Sequence, residues 1–223
     1  RGVKGASAID LVGRTLGPYE IRGHLGRGGV ADVYRAVHAG LAKEVALKVL
    51  FEDSADDADQ IARFQRESRV LARLSHPGIV EVYDCGSEGP VHYFAMALLE
   101  DRTLAGLLEI HSAAGGWLPE PQCVTIVSSI LEVLAVVHAE NIIHRDIKPS
   151  NIFVTGEDQA IVSDFGLVKV VDETSLTLSP DAVLGTIAYM APEQILSEPA
   201  DARTDLYAVG LVLYRMLYGQ LPF

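Results

Sequence analysis

A chain of 223 residues can bury a real core, and its length suits one large domain or two lobes. With 49% hydrophobic and 22% charged residues the composition is globular, which excludes a disordered chain. The formal net charge of -12 argues against a nucleic-acid or anionic-membrane binder, since both attract basic surfaces. Cys85 and Cys123 lie far apart, fit no metal spacing and read as reduced core thiols of a cytosolic protein. The longest apolar stretch, around Val124 to His138, carries Ser128, Ser129 and Glu132 and falls short of a membrane span. No signal peptide opens the chain. The missing initial Met and the ending at Leu221-Pro222-Phe223 suggest a fragment.

Residues 1–16 are polar and weakly patterned, and read as a leader or linker. From Tyr19 the chain alternates as strands do: Tyr19 to Arg22, Val33 to Val37, Glu44 to Leu50. Between the first two lies Gly26-Arg27-Gly28-Gly29-Val30-Ala31-Asp32-Val33-Tyr34. Glycines there let backbone N–H groups approach phosphate oxygens, although an isolated glycine cluster is more often an ordinary hairpin turn. A strand, not a helix, follows, which disfavours a dinucleotide-binding βαβ site. Lys48 stands in the apolar strand Val45-Ala46-Leu47-Lys48, where an ammonium needs an anionic partner or ligand. The next segment is an amphipathic helix with Ile61, Phe64, Val70, Leu71 and Leu74 near helical spacing, and Ser54 and Asp57 as a possible cap. Glu67 falls on its apolar side, so a Lys48–Glu67 pair would satisfy both charges; the alternative is two solvated residues.

Two more strands are expected at Ile79 to Asp84 and Val91 to Leu98, and the character changes after Asp101. A long helix is expected from Pro121 to His138, then a loop His144-Arg145-Asp146-Ile147-Lys148-Pro149-Ser150-Asn151, then a strand Ala160 to Ser163 running into Asp164-Phe165-Gly166. Residues 167–190 are rich in Ser and Thr without periodicity, and Asp205 to Tyr218 is an apolar helix. No internal repeat is found. The expected architecture is α+β: a sheet-rich lobe over residues 17–99 and a mainly helical lobe over residues 100–223, joined near Leu99 to Asp101.

Phosphoryl transfer needs an acceptor held in line, metal ions on phosphate oxygens and positive charge where negative charge spreads. Asp146 can accept a hydrogen bond from a hydroxyl, Lys148 can neutralise a phosphate, and Asn151 and Asp164 offer the hard oxygens that magnesium prefers. His92 and His111 stand in no such context.

Taken together, these segments resemble the signature of the eukaryotic-type protein kinases. The glycine-rich loop, strand lysine, helix glutamate, catalytic loop, Asp-Phe-Gly and Ala191-Pro192-Glu193 occur in the family's order over residues 19–223. Lys148, two residues after Asp146, and Gly185-Thr186 resemble the serine/threonine branch; the glycine loop and Ala191-Pro192-Glu193-Gln194 are similar to bacterial Hanks-type kinases. The resemblance implies a bilobal kinase-like fold, an ATP- and Mg2+-dependent enzyme acting on Ser/Thr hydroxyls of proteins, and a cytoplasmic location, either alone or as the cytoplasmic part of a longer membrane protein.

Residue by residue, the resemblance implies that Asp146 orients the substrate hydroxyl and accepts its proton, and that Lys148 contacts the transferring phosphate. Asn151 and Asp164 would hold magnesium, and Lys48, paired with Glu67, the α- and β-phosphates. Gly26, Arg27, Gly28 and Gly29 would cradle phosphates; Ala31 stands where the family has its third glycine. Val33 and Ala46 would lie above the adenine and Phe153 below it, with hinge backbone at Ala97 and Leu99 beside Met96; Ala97 stands where Glu is common. Thr186 matches a threonine that contacts the catalytic Asp and Lys, and Asp205 a residue that anchors the catalytic loop. Arg145 before Asp146 implies control by activation-loop phosphorylation, with Thr174, Ser175, Thr177 and Ser179 as candidate acceptors, including by self-phosphorylation. The resemblance also implies further C-lobe helices beyond residue 223, one with an arginine for Glu193, so the C-lobe is expected to be truncated. A nucleotide-binding pseudokinase or scaffold is the alternative, against which Lys48, Asp146, Asn151 and Asp164 argue; a small-molecule kinase is disfavoured by the Gly185–Glu193 segment.

Overall fold

The alternating residues from Tyr19 to Leu50 form an antiparallel meander, because every second side chain is apolar and a pleated strand sends those to one face. The molecule, a computed structural model, is described over residues 11–27, 31–50, 58–100, 102–165 and 187–223. Two units divide it: residues 1–73 with 81–99, and residues 74–80 with 100–223.

In the first unit, β1 (Thr15–Leu16), β2 (Tyr19–Arg27), β3 (Ala31–His38), β4 (Lys43–Leu50), β5 (Val82–Glu88) and β6 (Val91–Ala97) form one sheet in the order β1-β2-β3-β4-β6-β5. All neighbours are antiparallel. One face is a closed core of Tyr19, Ile21, Tyr34, Val45, Leu47 and Tyr93 with their neighbours. Helix α1 (Ala58–Leu71) buries Phe64, Ser68 and Leu71, and the Phe64 ring lies 5.0 Å from that of Phe94 on β6. The Ser54 and Asp57 cap lies outside the described residues.

The second unit pairs β7 (Arg102–Thr103), β8 (Ile152–Val154) and β9 (Ala160–Val162) in one small antiparallel sheet, β7-β8-β9. Around it lie α2 (Leu104–Ala113), α3 (Glu120–Ala139), α4 (Pro192–Ile195) and α5 (Ala202–Tyr218). Helix α3 buries Ile126, Ile130, Val133, Leu134 and Val137, the face its spacing marks out, against β9 and α5. By length and composition α3 is apolar enough to cross a membrane, which the shorter stretch read from sequence is not; its continuous buried stripe is that of a core helix. Within that stripe Ser129 accepts the backbone N–H of Ala160 at 2.8 Å and donates to the Ile126 carbonyl at 2.9 Å, fastening β9 to the helix.

Two expectations shift, and one helix was not read from the sequence. The strand expected from Ile79 to Asp84 starts instead at Val82: Ile79 and Val80 are buried in the second unit, where Val80 donates to the Val162 carbonyl at 3.3 Å and Val162 to that of Gly78 at 2.8 Å. Apolar alternation cannot tell which unit it serves. Helix α2 carries no strong amphipathic stripe and is set by its start, where Thr103 accepts the N–H of Gly106 at 3.2 Å. Cys123 is a core thiol whose pKa burial pushes up, but Cys85 is exposed, because β5 is the edge strand.

Gly219 ends α5 at φ 71°, and a Cβ there would meet the Trp117 ring at 1.8 Å. Both the left-handed conformation and the close approach require glycine. Gly219→Ala should therefore lower unfolding stability by about 1–3 kcal/mol, read by urea denaturation; a loss below about 0.5 kcal/mol would count against both constraints.

Candidate active site

In the first unit, register does the positioning. Val33 sits opposite Lys48, Lys48 opposite Phe94, and Ala46 opposite Met96. Directly opposed residues share a face, so Val33, Ala46, Lys48 and Met96 lie together on the face away from the closed core. Lys48 is half-buried, with Nζ 5.4 Å from the centre of the Phe94 ring. Position 67 lies on α1 between the buried Phe64 and Leu71, but its side chain is outside those described, and the Lys48–Glu67 pairing with it. Gly26 and Arg27 end β2, while Gly28 and Gly29 fall outside the described residues. On either side of that gap His24 Nε2 and the buried Asp32 Oδ1 meet at 3.1 Å, a clasp across the hairpin that composition did not suggest. Ala97 ends β6 with its N–H donated to the Glu81 carbonyl at 2.8 Å, and Leu99 follows beyond the strand.

In the second unit the residues from His144 to Ile147 belong to neither helix nor strand, so side chains must satisfy their backbone. The buried carboxylate of Asp205, on α5, accepts the N–H of His144 at 2.9 Å on Oδ2 and that of Arg145 at 2.8 Å on Oδ1. His138, at the end of α3, adds a contact from Nε2 to Oδ2 at 2.7 Å. The Asp146 N–H donates to His144 Nδ1 at 3.2 Å, so Nδ1 is the acceptor and Nε2 carries the proton, which it gives to the Ser163 carbonyl at 3.1 Å. Burial pushes the His144 pKa down, and the imidazole stays neutral.

Asp146 Oδ2 lies 3.1 Å from Lys148 Nζ and accepts from Asn151 Nδ2 at 2.9 Å; the same Nδ2 donates to the Asp146 carbonyl at 2.9 Å. These three residues thus meet on one loop. Asp164 follows directly on Ser163, whose N–H is held by the Asn151 carbonyl at 2.9 Å, and precedes Phe165, buried with its ring 4.6 Å from that of His144. Asp164 itself takes φ 54°, a left-handed value that Asp tolerates better than most residues. His144 therefore ties the catalytic loop to the Asp164 segment through its ring and Nε2, while its Nδ1 and backbone N–H hold the loop itself. Phe153 is half-buried on β8, opposite Ile161. Gly166, Thr186 and the hydroxyls of Thr174, Ser175, Thr177 and Ser179 lie outside the described residues.

The donor set suits a hard cation bound partly by a ligand. With Asn151 Nδ2 committed to Asp146, its side-chain Oδ1 can face a metal, and the Asp164 carboxylate offers hard oxygens of the same kind. Among the described residues no cluster of three or more His, Cys, Asp or Glu could hold a metal without a ligand's own oxygens.

Residues 19–223 match the protein kinase domain family. The chain belongs to that family. It is 37% identical over 214 residues to the serine/threonine-protein kinase PrkC of Bacillus subtilis, covering 96% of this chain and 32% of that protein. It is 38% identical over 209 residues to the serine/threonine-protein kinase PknB of Mycobacterium leprae, covering 92% of this chain and 33% of that protein. The chain thus spans about a third of the length of these relatives. The crystal structure of the Mycobacterium tuberculosis PknI kinase domain is similar to it with a TM-score of 0.75 and 29% identity, over 95% of this chain and 79% of that one. The Hanks-type resemblance and the kinase fold with its sheet-rich and helical lobes are thereby established.

What the motifs left unassigned in this kinase domain is the support around them: His138, His144, Ser163 and Gln194. His144 and Gln194 stand inside the motif segments and Ser163 beside one, while no motif marked His138. Near Arg145, Glu193 accepts from Thr204 Oγ1 at 2.6 Å, and Arg145 Nε is buried with no hydrogen-bond partner among the described residues.

Asn in place of Asp205 has one acceptor oxygen where the carboxylate offers two, so an N–H of the catalytic loop must face an amide NH2. Asp205→Asn should cost about 2–4 kcal/mol in chemical denaturation and abolish activity below the melting transition; full activity would refute the anchoring. For His144, the unfolded chain binds a proton near its ordinary value while the folded chain does not, so stability falls as pH drops below about 6.5. His144→Gln, which cannot titrate, should make unfolding stability less dependent on pH between about 7.5 and 5.5, read by denaturation at the two pH values; an unchanged pH dependence would place the titration elsewhere.

Proposed function

We propose that this domain transfers the γ-phosphoryl group of ATP to serine or threonine hydroxyls of protein substrates. The observation that carries the reading is the meeting of Asp146, Lys148 and Asn151 on one side-chain-braced loop, with Asp164 next to a residue bound to that loop. The Asp146 carboxylate would align the acceptor hydroxyl and take its proton as the oxygen bonds to the γ-phosphorus and the bond to the β,γ-bridging oxygen breaks, releasing ADP. Lys148 would neutralise charge on the transferring group. Protein kinases use ATP with Mg2+, and here Asn151 and Asp164 would hold the metal, which supplies charge neutralisation on the phosphates. In the first unit, Lys48 with Glu67 would hold the α- and β-phosphates, and Gly26, Arg27, Gly28 and Gly29 would cradle them with backbone N–H groups. Val33, Ala46, Met96, Ala97 and Leu99 would recognise adenine, as would Phe153 of the second unit. The shared face of Val33, Ala46, Lys48 and Met96 supports this.

Arg145, whose buried Nε has no hydrogen-bond partner among the described residues, supports regulation by a phosphate on Thr174, Ser175, Thr177 or Ser179, added by the kinase itself. The domain is proposed to work in the cytoplasm, where ATP and magnesium are available. The test is labelled ATP with the complete natural chain and a protein acceptor. Wild type should label the acceptor on Ser or Thr, whereas Asp146→Asn and Asp164→Ala should each lose on the order of a thousandfold or more in kcat while staying folded. Near-normal turnover in Asp164→Ala would remove it from the metal site; no transfer by wild type would favour a non-catalytic scaffold.

A further inference from the structure

The residue after Ala191-Pro192-Glu193 has a side chain shared between two backbones. Gln194 Oε1 accepts the Ala191 N–H at 3.0 Å, and Gln194 Nε2 donates to the Arg145 carbonyl at 2.9 Å. The Arg145 carbonyl and the Asp146 N–H belong to the same peptide plane, which is rigid. That plane is therefore pinned at its oxygen by Gln194 and at its N–H by His144 Nδ1, 3.2 Å away. Arg145 is left-handed at φ 65°, a conformation that costs a non-glycine residue energy and persists only where its surroundings over-determine it. Asp205 holds the N–H side of Arg145 at 2.8 Å; Gln194 is the described group on its carbonyl side.

We infer that Gln194 is a positioning residue for phosphoryl transfer: its carboxamide fixes the Arg145–Asp146 peptide plane, and through it the direction of the Asp146 carboxylate. The inference rests on the kinase reading of Asp146 and extends it to a residue outside the transfer machinery. A primary amide suits the place because it carries one acceptor and one donor on a single planar group. The simpler role is a helix cap, since Gln194 is the third residue of α4 and reaches back to Ala191 as capping residues do. The two roles differ in what they require. A cap needs only the acceptor, and glutamate serves there as well or better beside the positive end of a helix. The peptide-plane role needs the donor, and a carboxylate would set an anionic oxygen against the Arg145 carbonyl.

Gln194→Glu in the complete natural chain decides between them. Positioning predicts kcat down by roughly tenfold or more, KM for ATP within about twofold and a melting temperature close to wild type, because the cap survives. It also predicts faster hydrogen exchange at the Asp146 amide, read by NMR, since that N–H shares the released plane. A Gln194→Glu protein with kcat within about twofold of wild type overturns the inference, as does loss of kcat with the Asp146 amide exchanging at the wild-type rate. Should the wild-type chain transfer no phosphate, the kinase reading fails, and the exchange rate alone then decides the positioning: faster supports it, unchanged overturns it.

Discussion

The carboxylate of Asp205 is the interaction on which the catalytic loop depends. It is 1% exposed, and a buried carboxylate is costly unless donors surround it. Here the backbone N–H groups of His144 and Arg145 and the His138 ring compensate it. The dependence runs both ways, because those two N–H groups lie in irregular chain and have no ladder partner. Helix α5 brings the carboxylate, α3 brings His138, and the loop receives its shape from both. A helical core thus imposes a single conformation on a segment that has no secondary structure of its own.

His144 carries that order one step further. Its ring packs on Phe165, its Nε2 donates to Ser163 and its Nδ1 accepts from Asp146. Such a side chain must be small, planar and able to present a donor and an acceptor on opposite edges. Neutral imidazole does this, and full burial keeps it neutral. The position of Asp164 is therefore linked to that of Asp146 through one buried ring. The first unit uses a different device: strand register alone collects Val33, Ala46, Lys48 and Met96 on one face, while the other face is closed by core.

Much of this was legible in the sequence. Strands β2 to β4, β6 and β9, helix α3 and α5 appear near their expected places, because period and burial agree there. The transfer loop was legible because its residue types are chemically rare in that order. The misses have separate physical causes. Ile79 and Val80 alternate as a strand would, yet they serve a bridge to Val162 across a long separation in sequence, which no local pattern encodes. Cys85 looked like a core thiol because thiols are commonly buried, but it stands on an edge strand. The His138, Ser163 and Gln194 contacts depend on elements meeting in space, and a polar residue near a motif looks the same whether it supports the motif or faces water.

There is a reason the loop was easier to read than its supports. Regular elements satisfy their own backbone, so many side chains are acceptable at each position. The irregular stretch from His144 to Ile147 has no such default: the N–H groups of residues 144, 145 and 146 and the carbonyls of 145 and 146 are each bound by a particular side chain. Where side chains must do the work of a ladder, identity is constrained residue by residue, and the constraint surfaces as a motif. The partners on α3, α4 and α5 are constrained as tightly, one at a time and far apart in sequence, so the same physics leaves a contiguous signature on the loop and only isolated letters on its supports.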